Sequence, residues 1–167
     1  MKGTKLIIIL ILVGAVIAAA STRPDPTIFT EKKETETYSD LFFIYSVTRY
    51  PASVEAVHFS GAGTPTIGIN LDTSELNFGV VFAEGSSVRR NINLTSKDEK
   101  SSKVKLKAYG NIKPLISFSD NDFVFGGKRG IDVTLRTDGV APGNYSGEID
   151  VIVQRSKYDF LARILGY

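Results

Sequence analysis

Between Pro65 and Arg155 the apolar residues recur at every second position, in short runs separated by turn-forming residues. A period of two sends successive side chains to opposite faces of an extended chain, so each run reads as a strand with one buried face. Ile67, Ile69 and Leu71 alternate within Thr66–Asp72, then Leu76, Phe78 and Val80 within Leu76–Phe82. Val88, Ile92 and Leu94 do so within Ser86–Thr95, with Arg90 the exception on that face. Val104, Leu106 and Ala108 follow, opposite Lys103, Lys105 and Lys107. Ile116–Phe118 and Phe123–Phe125 flank the turn Ser119-Asp120-Asn121-Asp122, and Ile131–Arg136 and Tyr145–Val153 close the series. No run between Ser21 and Arg155 has a helical period. The expectation is an all-β sandwich of antiparallel strands, with a closed barrel as the competing architecture.

The first twenty residues, MKGTKLIIILILVGAVIAAA, follow another rule. Lys2 and Lys5 precede an uncharged run, Leu6–Ala20, that ends in three alanines before Ser21. Basic, apolar and small residues in that order make a signal peptide. At about 1.5 Å per residue the run spans roughly 22 Å, short of a hydrocarbon core of about 30 Å. Snorkelling lysines and the flanking Gly3, Thr4, Ser21 and Thr22 would lengthen it into an anchor. Both readings place an N-terminal hydrophobic helix at 1–20, and both put the lysines inside and everything after Ser21 outside. The expected location is extracytoplasmic, either secreted or anchored by a single pass with the C-terminal domain outside.

Charge and composition narrow the function classes. Of the 20 basic residues two, Lys2 and Lys5, belong to the leading segment, leaving as many bases as there are acids, 18. A balanced domain has no clustered basic face for nucleic acid. There is no Cys and one His, which removes thiol catalysis, disulfides, thiolate zinc sites and iron–sulfur clusters. No cofactor is expected.

Residues 21–40 combine two prolines with a charged, Thr-rich stretch and read as a linker, in which EKKETE suits a solvated edge or a short helix. Leu41, Phe42, Phe43, Ile44 and Tyr45 then give a run that is apolar on both faces. Such a run either lies deep in a core or completes another subunit's sheet, and Pro51 is expected to break it. The domain is taken as 41–155, and roughly ninety residues of regular strand pattern match one immunoglobulin-like domain. The tail 156–167 changes period: Phe160, Leu161, Ile164 and Leu165 fall at helical spacing, with Arg155, Lys157 and Arg163 around them. It reads as a short amphipathic helix or tail, packed on its own domain, docked on a membrane surface or partner, or donated as a strand.

Two stretches carry a resemblance. Leu76-Asn77-Phe78-Gly79-Val80-Val81, leading through Glu84-Gly85-Ser86 to VRRNINLTS, resembles the opening hairpin of immunoglobulin-like modules of the abnormal-spindle/Hydin and major-sperm-protein type. Ala141-Pro142-Gly143-Asn144-Tyr145-Ser146-Gly147-Glu148-Ile149-Asp150-Val151 is similar to the closing strand of many bacterial and archaeal surface sandwiches. In that strand Pro142-Gly143 makes a turn, Tyr145 anchors the strand start and Gly147 leaves room for packing. The likeness covers about half the chain and implies a fold, since such modules serve many roles. The order of membrane segment, linker and single sandwich also resembles archaeal envelope proteins such as archaellum stator and pilus subunits.

Sites of chemistry are few. His58 would need a nucleophile and an orienting acid, and the chain has no Gly-x-Ser-x-Gly elbow, so a strand-end structural role is expected. Asp120 and Asp122 lack the later glutamate and central glycine of a calcium loop and suit turn chemistry. Gly126-Gly127-Lys128-Arg129-Gly130 lacks the Ser or Thr and the helix of a phosphate loop and suits a β-hairpin turn. Asn93-Leu94-Thr95 and Asn144-Tyr145-Ser146 are glycosylation sequons on outward positions, which makes Asn93 and Asn144 the candidate modification sites. Lys103, Lys105 and Lys107, with Lys97 and Lys100 nearby, suit an edge strand guarded against pairing or a contact with an anionic partner.

The expectation is a non-enzymatic envelope protein, an accessory or structural component of a surface layer, pilus or archaellum-type assembly. Its partner would be an envelope or surface-filament protein or a second copy of the chain, with the membrane as a further contact if the leading segment is kept. Leu41–Tyr45 would supply strand addition. The alternative is a secreted carbohydrate- or envelope-polymer-binding module, with Tyr38, Tyr50, Tyr109 and Tyr158 as its aromatic surface.

Overall fold

The structure is a computed structural model that describes residues 26, 28–58, 73–96 and 101–166. The expected signal or anchor, the first residues of the linker and the expected strand Thr66–Asp72 lie outside the described residues. The chain forms strands β1 (Glu34–Ser39), β2 (Phe43–Val57), β3 (Leu76–Phe82), β4 (Ser87–Thr95), β5 (Ser102–Gly110), β6 (Ile116–Phe118), β7 (Phe123–Phe125), β8 (Lys128–Arg136) and β9 (Gly143–Ser156). A 3-10 turn (Lys113–Leu115) and one helix, α1 (Asp159–Leu165), complete the described elements. The class is all-β.

Two sheets result. The larger runs β1-β2-β9-β5-β7, with β3 also against β2, and the smaller runs β4-β8-β6. Every ladder is antiparallel except β2 with β3, which is parallel. From β3 onward each connection carries the chain from one sheet to the other. Two sequence expectations are corrected by this. Leu76–Phe82 and the following strand are not a hairpin, because they belong to different sheets. Nor is Gly126–Gly130 a hairpin turn: Gly127, at φ +83°, marks the step from β7 in the larger sheet to β8 in the smaller.

One cluster of buried side chains draws on both sheets. Leu106, Ile149 and Val151 come from the larger sheet and Ile92, Ile131, Val133 and Leu135 from the smaller, all nearly inaccessible. Burial of that many branched side chains, at roughly 1.5–3 kcal/mol each, dominates the folding free energy. Thr137, fully buried at the end of β8, clasps the crossing from β3 to β4. Its hydroxyl donates to the Phe82 carbonyl (2.6 Å) and accepts from the Ser86 amide (2.9 Å).

β2 departs furthest from expectation. It runs unbroken through Pro51 and pairs with β9 from Phe43↔Ser156 to Ala56↔Gly143. On its other side β1 ends at Arg49 and β3 begins at Ala52, so Pro51 falls where that side changes neighbour. A proline is tolerated in a strand where its missing N–H removes no ladder bond. The charged Thr-rich stretch expected as linker supplies β1 from Glu34 onward, the solvated edge, with all six residues exposed.

Candidate functional site

The β1–β2 hairpin closes on a single carboxylate. Asp40 accepts hydrogen bonds from the amides of Phe42 (2.8 Å) and Phe43 (2.7 Å) and from the Tyr45 hydroxyl (3.1 Å). An Asx turn of this kind substitutes a side-chain oxygen for a backbone acceptor and fixes the loop. Partial burial alone would raise the Asp40 pKa. The two amides, the Tyr45 hydroxyl and the charge of Lys157 together outweigh it, and the carboxyl is held below its ordinary value. A depressed carboxylate pKa stabilises the fold above the unfolded value near about 3.9 and loses that contribution as pH falls through the folded value. Asp40→Asn keeps an acceptor for the amides but carries no charge. The thermal midpoint of the wild type is therefore expected to exceed that of Asp40→Asn at pH 7, with the gap narrowing as the pH falls below the ordinary aspartate value. A gap that stays constant from pH 7 to pH 3 would remove Asp40 as its source.

The same hairpin meets the C-terminal helix. The Lys157 amide donates to the Phe42 carbonyl (2.9 Å) and its ammonium to the Asp40 carbonyl. Two residues later α1 begins, and Gly166, at φ +80°, ends it with a left-handed cap. No residue of α1 is buried. A seven-residue helix has too few internal hydrogen bonds to be stable by itself in water. The helix rests on its own domain only in part: Leu161 and Ala162 are half-buried, while Phe160, Ile164 and Leu165 are exposed.

The two apolar sets singled out in the sequence thus share one end of the larger sheet. Leu41 at the hairpin tip is 70% exposed and Ile164 75%, with Ile44, Tyr158, Phe160 and Leu165 also exposed. Tyr158 and Phe160 lie ring against ring, centroids 5.8 Å apart. One exposed apolar side chain is ordinary, but six large ones, four aliphatic and two aromatic, at one end of a small domain make this end the candidate surface. Strand addition at Leu41–Tyr45 itself is corrected. From Phe43 onward β2 pairs with β9 on one side, and from Ile44 onward with β1 on the other, so no edge is open there. Phe43 and Tyr45 are buried, Phe42 is half-buried, and Leu41 and Ile44 remain for contact.

Alternation along β2 sends Tyr50, Ala52, Val54 and Ala56 to the shared core. Phe43, Tyr45, Val47 and Arg49 go to the opposite face, where Tyr45 stacks on Tyr38 with centroids 5.0 Å apart. That face also carries a polar network. Arg49 donates to Glu34 (2.8 Å) and Glu36 (2.6 Å) on β1 and stands 3.9 Å from Glu148 on β9. The Glu36 hydrogen bond, against the cost of burial and with help from Glu34 and Asp150, raises the Arg49 pKa and keeps it charged. Glu148 and Asp150 are buried, and Glu148 accepts from the Thr30 amide at 3.0 Å. No pattern in the sequence announced this cluster, since its members are far apart and unremarkable singly.

The other expected positions are placed as follows. His58 is exposed beyond the end of β2, its Nδ1 against the Glu84 carboxylate. Asp120 pairs with Arg129, and Asp122 with Lys103 at 3.0 Å. In the lysine row Lys107 lies in register with Asp150 of the neighbouring strand, while Lys103 and Lys105 lie opposite Gln154 and Ile152; Lys97 and Lys100 lie outside the described residues. Asn93 and Asn144 are both exposed. Tyr50 and Tyr109 are buried, leaving only Tyr38 and Tyr158 of the four expected sugar-binding aromatics on the surface. Among the described residues no cluster of ligating side chains could hold a metal, and no helix is long and apolar enough to cross a membrane. No protein-family model matches the chain, and no curated protein matches it.

Proposed function

We propose that this chain is a non-enzymatic extracytoplasmic envelope protein that acts by protein–protein contact, as an accessory or structural part of a surface assembly. Its domain is an immunoglobulin-like sandwich. Two sheets sharing one buried cluster support that fold, as does the Tyr145 hydroxyl donating to the Ala141 carbonyl at 2.7 Å, a corner contact typical of such domains. The leading lysines and apolar run support export.

The observation that carries the functional reading is the exposed apolar end built from the β1–β2 hairpin tip and α1. A helix too short to persist alone, with its large side chains in solvent, is completed by burial against another protein. The occupant is a protein of the assembly rather than a small ligand, because the exposed side chains are spread over a hairpin tip and a helix. Leu41→Asp combined with Ile164→Asp tests it. Both positions are exposed, so stability should change by no more than about 0.5 kcal/mol. Retention of the chain in the native envelope fraction should fall at least about fivefold, which corresponds to a contact energy near 1 kcal/mol. A folded double variant retained like the wild type overturns the reading.

A further inference from the structure

The larger sheet has a second feature, remote from the hairpin and helix. β5 is paired with β9 from Lys103↔Gln154 to Gly110↔Gly147, but on its other side β7 covers only Ser102, Lys103 and Val104. The lane beyond β7 is continued by a side chain. Asn121 Oδ1 accepts from the Leu106 amide at 2.7 Å and its Nδ2 donates to the Leu106 carbonyl at 3.0 Å. One amide side chain thus imitates the donor and acceptor of a peptide unit in the strand position next to β5.

These two bonds fix the direction of the whole edge. In an antiparallel strand the N–H and C=O of one residue point to the same side, and the side alternates from residue to residue. Leu106 points away from β9, so Ala108, two residues on, presents its N–H and C=O to the same side. Among the described residues no strand lies there and no hydrogen bond reaches Ala108 from that side. A cleft of about 440 Å³ opens at this place, walled by Leu106 and Ala108 on one side and by Ile116 and Phe118 of β6 on the other. Lys107 and Lys113, each with an interaction of its own within the chain, also line it.

We propose that this cleft is a peptide-binding site, in which an extended acidic and apolar segment of a partner protein adds a short strand to β5 at Ala108. Its backbone takes the position that β7 and the Asn121 amide occupy further along. Its apolar side chains enter between β5 and β6, and its carboxylates meet Lys107 and Lys113. Main-chain bonds give such additions their affinity and the flanking pockets and charges their selectivity. The donor and acceptor, spaced as in a strand, select an extended peptide backbone over a sugar or a nucleotide.

The probe is a blocked hexapeptide of alternating glutamate and valine, titrated into the full chain in detergent micelles and followed by amide NMR. A lysine–valine hexapeptide is the control. Saturable shifts are expected at Leu106–Ala108 and at Ile116–Phe118, with the Ala108 amide exchanging at least about tenfold more slowly when the peptide is bound. Ala108→Pro removes the donor on the open side while the ladder to β9, made through Lys107 and Tyr109, stays intact, so binding should weaken at least about tenfold. Lys113→Glu should weaken the glutamate peptide at least about fivefold and favour the lysine peptide. Equal binding of both peptides, unchanged binding to Ala108→Pro, or no saturable shift overturns the proposal. So do shifts at Ala108 that appear with protein concentration alone, since the occupant would then be a second copy.

Discussion

Gly147→Ala is expected to remove a large share of the folding free energy. Gly147 on β9 is in register with Gly110 on β5, and a Cβ built at 147 would lie 1.9 Å from the Tyr109 carbonyl oxygen and 2.9 Å from Ile112 Cγ2. The obstacle is backbone of a paired strand, so no rotamer change relieves it, and the central β5–β9 ladder must part. We expect a loss on the order of 4 kcal/mol or more, a large share of the few to fifteen that hold a domain of this size. Gly130→Ala is the matched control. There the nearest atoms are side-chain ends of Asn91 at 3.2 and 3.4 Å, which can swing aside, and the cost should stay within about 1 kcal/mol. Denaturant unfolding of both variants checks the contrast. A Gly147→Ala protein as stable as Gly130→Ala would mean that β5 and β9 do not approach as described.

Arg49→Met is expected to cost about 3 kcal/mol, by a different route. Methionine keeps the aliphatic stem but removes the guanidinium that joins Glu34 and Glu36 of β1 to the buried Glu148 and Asp150 of β9. Taking the cation from this cluster leaves the buried Glu148 and Asp150 with less to offset their desolvation. The loss should be local in its first effect. Amide exchange in Glu34–Ser39 should accelerate before exchange in β9 does, because Arg49 is the side chain that staples the edge strand down. Arg49→Lys should fall between, since one ammonium cannot serve two carboxylates with the geometry of a guanidinium fork. Unchanged β1 protection in Arg49→Met would show that backbone pairing and the Tyr38–Tyr45 stack hold the edge without it.

How much of this was readable beforehand depended on whether a feature was local. β3, β6 and β7 have the bounds that alternation and turn residues indicate, and the room required at Gly147 follows from a small residue inside an aromatic and β-branched strand. β1 was hidden because its outward residues are glutamates and threonines, and alternation is visible only when one face is apolar. Pro51 misled because its effect depends on which neighbour its nitrogen faces, a property of the sheet. The parallel β2–β3 ladder and the crossing at Gly127 are decisions about pairing order, which no single run encodes.

The candidate surface divides along the same line. The apolar character of Leu41–Tyr45 and the helical spacing of Phe160–Leu165 were both legible; their meeting at one end, through Lys157 and the Phe42 carbonyl, was not. Arg49 with its carboxylates and the Asn121 amide on Leu106 are likewise products of topology, assembled from residues 13 or more positions apart.

A photoreactive residue placed at Ile164 in the full chain, irradiated in the intact native envelope, tests the central claim most directly. The account predicts a discrete adduct with another protein chain that is lost when Leu41→Asp is added, and none when the probe is moved to the exposed Ser87 of β4. No protein adduct at Ile164, or adducts of equal yield at both positions, would contradict it.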